Sequence, residues 1–175
     1  MKALPMQYPN SDEIRMTSAS PQDIKQLCTF SVDDLLFGID LGFVQEVIRA
    51  QDITPVPLAP PVVKGLINLR GQIVTALDLR VRMGLAPRQQ DDSPTNVVLR
   101  HADGVVSLLV DEIGDVVEVN PASFEAPPET LAATSRGLID GVYKLESELL
   151  LLLNTQRAVR VDPQSPLQRT DHGQQ

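Results

Sequence analysis

KGLINLRGQIVTALDLRVRMG, Lys64 to Gly84, is the stretch whose reading decides the fold. After Gly65, Leu66, Ile67 and Leu69 form one apolar run, and Ile73, Val74, Ala76, Leu77 and Leu79 form a second. Arg70 and Gly71 stand between them. Two runs of strand length around a short glycine-containing turn predict a β-hairpin laid on an apolar core. The segment carries Lys64, Arg70, Arg80 and Arg82 against one acid, Asp78, in a chain of net charge −8. An arginine at the tip of an apolar hairpin marks a candidate recognition surface.

Upstream, Thr54 to Pro61 (TPVPLAPP) is a proline-rich loop that has no place in a central strand. Before it, Asp40 to Arg49 (DLGFVQEVIR) reads two ways. Phe43 with Val47, and Val44 with Ile48, are spaced as in a helical turn, while Val44, Glu46 and Ile48 also alternate as in a strand. Leu27 to Ile39 alternates on both sides of Asp33-Asp34 and predicts a hairpin with an acidic turn. Downstream, Ala86 to Thr95 (APRQQDDSPT) has the composition of a linker. Val97 to Val110 turns at Ala102-Asp103-Gly104, and Gly137 to Leu153 turns near Glu146-Ser147, so two more hairpins follow. Residues 1–24 and 162–175 are polar and aperiodic, the pattern of loose tails around a single domain spanning 25–161.

The two halves echo each other, roughly 27–85 and 95–155. Gly65 falls beside Gly141, Leu69 beside Leu145, Ile73 beside Leu149, Leu77 beside Leu153 and Asp78 beside Asn154. Phe43 to Val47 parallels Asp115 to Val119. Either the chain carries a duplication or two β-rich segments of similar composition look alike. Lobes of this size would be marginal alone and are expected to share a core. At the equivalent tips Arg70 stands against Glu146, so the charges are opposite.

Composition excludes several functions. Aromatic residues are 3% of the 175 residues and Trp is absent, which speaks against a stacking platform for single strands. The acidic balance speaks against a phosphate-binding face, so no nucleic acid is expected. A single cysteine, Cys28, allows no internal disulfide and no multi-cysteine metal site. It sits in an alternating strand and reads as a small buried apolar residue. His101 beside a turn and His172 in the tail have no catalytic companions. The pairs Asp33-Asp34, Asp91-Asp92 and Asp111-Glu112 point to opposite faces of a strand and read as solvated acids. No phosphate-cradling glycine motif occurs. Neither an enzyme, a metal nor a cofactor is expected. The start of the chain lacks the apolar stretch of a secretory signal, and the longest aliphatic run, Leu149 to Leu153, is too short to span a bilayer. A cytoplasmic protein without membrane insertion is expected.

The charges embedded in the most apolar parts of the first half are Glu46 and Arg70. They are either two unrelated exposed side chains or a pair, in which the arginine fork holds the carboxylate at two points.

With these residues in view, the chain resembles the CheW-like family of bacterial chemotaxis coupling proteins, from about Gln26 to Val159. The specific portion is Thr54 to Leu85, above all VKGLINLRG (Val63 to Gly71) followed by Asp78-Leu79-Arg80. VQEVI (Val44 to Ile48), LLVDEI (Leu108 to Ile113) and GVYKL (Gly141 to Leu145) stand in the right order. The resemblance implies a mainly β fold of two intertwined SH3-like barrels sharing a hydrophobic core, with few short helices. It implies a non-enzymatic adaptor that couples chemoreceptor cytoplasmic tips to the regulatory domain of a CheA-type histidine kinase, at membrane-bound receptor arrays. Glu46 and Arg70 match the family's partner-binding motif, with Val44, Ile48, Asn68 and Gly71 around them and Gly65 and Gly141 as structural turn residues. Thr75-Ala76 departs from the apolar pair often found there, and the N-terminal tail is longer than in the shortest members. Neither departure removes a binding residue. With no room for a receiver or kinase domain, a standalone adaptor is expected. A small β-barrel that binds nucleic acid is the alternative.

Overall fold

A computed structural model of the chain describes residues 24–89 and 92–161. The expected tails lie outside the described residues, except for Ile24 at the end of the first, and so does His172.

The hairpin read at Lys64 to Gly84 is present as β4 (Val63–Leu69) and β5 (Gln72–Asp78), antiparallel, with Leu69 opposite Gln72. Leu79 does not continue the strand. Asp78 ends β5 and caps a helical turn, α1 (Leu79–Arg82), by accepting from the Arg80 amide at 3.0 Å. The other predicted hairpins form as well. β1 (Lys25–Val32) pairs with β2 (Leu35–Asp40) across Asp33-Asp34, and β6 (Thr95–His101) pairs with β7 (Gly104–Val110). β10 (Ile139–Lys144) pairs with β11 (Leu149–Leu153). The ambiguous segment resolves into a 3-10 turn, Leu41–Phe43, and a strand, β3 (Val44–Ile48). An antiparallel partner, β6, is what selects strand over helix there. β8 (Glu112–Val119) leads through a second 3-10 turn to the short β9 (Phe124–Glu125). The helical turns α2 (Ala133–Arg136) and α3 (Thr155–Val159) complete the elements of the described residues.

The strands form two sheets, ordered β8-β1-β2-β11-β10-β9 and β3-β6-β7-β5-β4. The orders are the same once β1, β2 and β8 are matched to β6, β7 and β3, and β11 and β10 to β5 and β4. Each sheet therefore draws strands from both halves of the chain. In each, the parallel contact is the equivalent one, β5 with β7 and β11 with β2. Each curls closed when the chain beyond its outer strand returns to the opposite edge. Thr54 bridges to Leu66 on β4, and β9 pairs with β10. The result is two intertwined SH3-like barrels.

The echo in the sequence corresponds to equivalent places. Gly65 and Gly141 both follow a register shift in the strand. A Cβ on Gly65 would overlap the Thr54 carbonyl, and one on Gly141 would overlap the Phe124 ring. Asp78 and Asn154 both cap the helical turn that follows the second strand of their hairpin, β5 and β11.

The main core lies between the barrels. Phe30 and Phe37, stacked at 5.8 Å, meet Leu77, Leu99, Leu108 and Leu151 there. Each barrel keeps a smaller interior of its own, around Leu27, Tyr143 and Leu150 in one and Ile67, Val74 and Leu109 in the other. Burying a side chain of this size contributes about 1.5–3 kcal/mol, so the shared cluster is the larger source of stability. Cys28 belongs to it, and burial raises its thiol pKa above the ordinary value.

Candidate functional site

The tip of the β4–β5 hairpin is a two-residue turn with positive φ at both positions, 49° at Arg70 and 88° at Gly71. Such turns match the twist of paired strands and favour Asn-Gly or Gly-Gly. An arginine there carries a steric penalty of about 1–2 kcal/mol. Asn68 offsets part of it, since its Oδ1 accepts from the Gly71 amide at 2.8 Å. Asn68 and Gly71 thus shape the tip, and Arg70 is what the tip presents.

Glu46 sits on β3, at the opposite edge of the same sheet. A bulge lies between Val44, opposite Leu99, and Glu46, opposite Val98. Arg70 Nη2 donates to Glu46 Oε2 at 2.9 Å, so the two charges do meet. The contact is one hydrogen bond, not a two-point fork. The Arg70 side chain is 85% exposed and that of Glu46 18%. A pair so open to water contributes about 0–1 kcal/mol, which does not repay the backbone strain. A long cation held in a strained, exposed turn therefore has little role in stability, and strained backbone of this kind clusters at active sites, ligand clamps and switch regions.

The remaining candidates are spread around this pair. Val44 is half-buried and packs against the shared core, and Ile48 is half-buried at the end of β3. Val47, between them in the chain, is exposed instead. Ile73, next to the tip on β5, is exposed as well. Gly65 and Gly141 lie inside their strands and act on backbone geometry.

A second charged cluster escaped the sequence reading. Arg88, in the segment read as a linker, is half-buried, with its side chain largely covered. Its Nη1 donates to Asp78 Oδ2 at 2.9 Å, its Nε to Asp111 Oδ1 at 3.0 Å and its Nη2 to the Leu109 carbonyl at 3.0 Å. Arg80 Nη2 lies 2.7 Å from Asp111 Oδ2, and the Asp33 amide donates to the same oxygen at 2.7 Å. Asp111 is therefore no solvated acid, because three groups from separate segments converge on it. Burial pushes its carboxyl upward, but the Arg80 hydrogen bond, the Asp33 amide and the charges of Arg88 and Arg80 outweigh this and hold it below the usual value. The available signal was the capping position of Asp78 ahead of two arginines. Composition hid the rest, since prolines and polar residues around Arg88 read as loop.

His101 stands at the end of β6, beside the turn as read. It is partly covered, and its Nδ1 accepts from the Asp103 amide at 3.3 Å. Among the described residues no three His, Cys, Asp or Glu side chains converge as a metal site, and no helix is long and apolar enough to cross a membrane.

The CheW-like domain model matches residues 26–162. The chain is 31% identical over 133 residues to the chemotaxis protein CheW of Treponema pallidum, covering 74% of this chain and 78% of that protein. It is 25% identical over 141 residues to that of Helicobacter pylori, covering 81% and 85%. The structure matches the crystal structure of the scaffolding protein TtCheW from Thermoanaerobacter tengcongensis with a TM-score of 0.71, at 26% identity, over 82% of this chain and 97% of that one. Two intertwined barrels, a motif run carried on one hairpin and these matches lead to one conclusion: the chain belongs to the CheW-like family, a family of chemotaxis scaffold proteins and not of enzymes.

Proposed function

We propose that this chain is an adaptor that couples chemoreceptor cytoplasmic tips to the regulatory domain of a CheA-type histidine kinase. It works as one unit over residues 25–161, in the cytoplasm, at membrane-bound receptor arrays. The Arg70 tip is the observation that carries this reading. A strained, exposed arginine held by Asn68 and tethered to Glu46 adds little to stability, and its geometry suits a partner's carboxylate. Glu46 orients the guanidinium from the far edge of the barrel, and Gly71 lets the turn form. Val44 and Ile48 set the register of the strand that carries Glu46.

The test is calorimetric titration of the chain with the purified regulatory domain of a CheA-type kinase from the same genome. Wild type and Arg70→Ala are compared, with circular dichroism confirming that both fold. Saturable binding by wild type, weakened in the variant, supports the reading. Equal binding by the two removes Arg70 from the surface. A wild type that binds neither the kinase domain nor a receptor tip overturns the proposal.

A further inference from the structure

A recess of about 280 Å³ opens where α1, α2 and α3 meet, lined by Arg82, Thr134, Gly137, Leu138, Arg157 and Arg160. Arg82 is anchored in it by Nη2, which donates to the Arg157 carbonyl at 2.8 Å. Its Nε–H is buried and has no hydrogen-bond partner among the described residues. Buried donors are nearly always satisfied, so an orphan of this kind points to an absent acceptor. Arg157 is committed elsewhere. Its Nη1 donates to the Gly137 carbonyl at 2.8 Å and its Nη2 to Asp140 Oδ1 at 2.7 Å. Arg160 is exposed, and its side chain makes neither a hydrogen bond nor an ion pair among the described residues. Asp140 is the acid that answers these guanidinium groups, and it is already shared between Arg157 and Asn154. A concentration of positive charge is thus left uncompensated in a chain of net charge −8.

We propose that this recess is an oxyanion site that takes the side-chain carboxylate of an acidic segment on a protein partner. A small rotation of the Arg82 guanidinium turns its orphan Nε–H toward the entering oxygen. Arg160 supplies the second donor from the rim, and Leu138 forms an apolar wall for the methylene stem. The recess shares Arg157 and Arg160 with an adjoining groove of about 690 Å³ that has Val63, Val105, Val159 and Val161 on its wall, with His101 and Asp103 also on its lining. That groove gives the apolar neighbours of the acid a place to lie. A free phosphate has no use for it, so the charge and the groove together favour an acidic, partly apolar peptide. This site uses none of the residues of the Arg70 tip and stands independently of it.

The test uses the full chain, ¹⁵N-labelled, with the arginine Nε–H resonances followed by NMR. The probes are a capped peptide of alternating glutamate and leucine, its glutamine–leucine counterpart, and inorganic phosphate. The acidic peptide should shift the Arg82 Nε–H resonance saturably, and the neutral one should not. Arg160→Gln should weaken the effect about tenfold, the weight of one charge-assisted hydrogen bond, with an unchanged melting temperature. Arg82→Gln, which lacks that reporter, should abolish the parallel shift of the Leu138 backbone amide. The site is refuted by no saturable shift, by an equal response to the neutral peptide, or by unaltered affinity in Arg160→Gln. Saturation by phosphate where the acidic peptide has no effect also refutes it, leaving an ion site only. No kinase or receptor takes part, so this outcome is separable from that of the adaptor proposal.

Discussion

Replacing Arg88 by methionine isolates what the second charged cluster does. The change keeps an unbranched stem for packing and removes a guanidinium that donates to Asp78, Asp111 and the Leu109 carbonyl. Asp111 would keep Arg80 and the Asp33 amide. Asp78 would keep only the Arg80 amide at its other oxygen. The two side chains of the Arg88–Asp78 pair are 9% and 7% exposed, so water cannot replace the lost partner. Leaving one member of a buried pair unpaired costs about 3–5 kcal/mol, a large part of the 5–15 kcal/mol that holds a typical domain. Urea denaturation followed by circular dichroism should show that loss as a lower midpoint with an unchanged slope. Adding Asp78→Asn should restore part of it, since the amide still caps α1 without a buried charge. A loss below about 1 kcal/mol would refute the reasoning, because only an exposed pair is worth so little.

Other outcomes follow from the same geometry. Leu58 has a φ of 61°, is fully exposed, and follows Pro57 in a turn closed by the Ala59 amide on the Val56 carbonyl, a position that favours Gly or Asn. Leu58→Asn should raise stability by about 1 kcal/mol, read as a higher melting temperature. Gly65→Ala should be far more damaging than Gly71→Ala. Both need positive φ, but a Cβ at Gly65 meets the Thr54 carbonyl and one at Gly71 meets nothing within 4 Å. Thermal melts of the two variants check this order. The carboxyl of Asp111 lies below its ordinary value of 3.8 when folded. Its contribution is therefore complete above the unfolded value and is lost as pH falls through the folded one. Asp111→Asn should be less stable at neutral pH and should show a shallower decline in acid, measured by urea titration at a series of pH values.

Much of the barrel was legible from the chain alone. Alternation over Leu27 to Ile39 and over Lys64 to Leu77, with two-residue turns at Asp33-Asp34 and Arg70-Gly71, specifies hairpins because both signals are local. The pairing of Gly65 with Gly141 and of Asp78 with Asn154 was also readable, because close backbone approach and helix capping each demand a particular residue type. What lay beyond the chain was every contact made across distance. Val44 to Ile48 has the letters of a helix or a strand, and only the edge of β6 decides which. Glu46 and Arg70 are 24 residues apart, and closure of the barrel brings them together. Arg88 sits among prolines and polar residues, yet it lies beneath the surface because Asp78 and Asp111, from β5 and the β7–β8 connection, meet there. Local propensity determines hairpins and turns. Which strands interleave, and which charges lose their water as a result, is settled by packing between segments that the sequence keeps far apart.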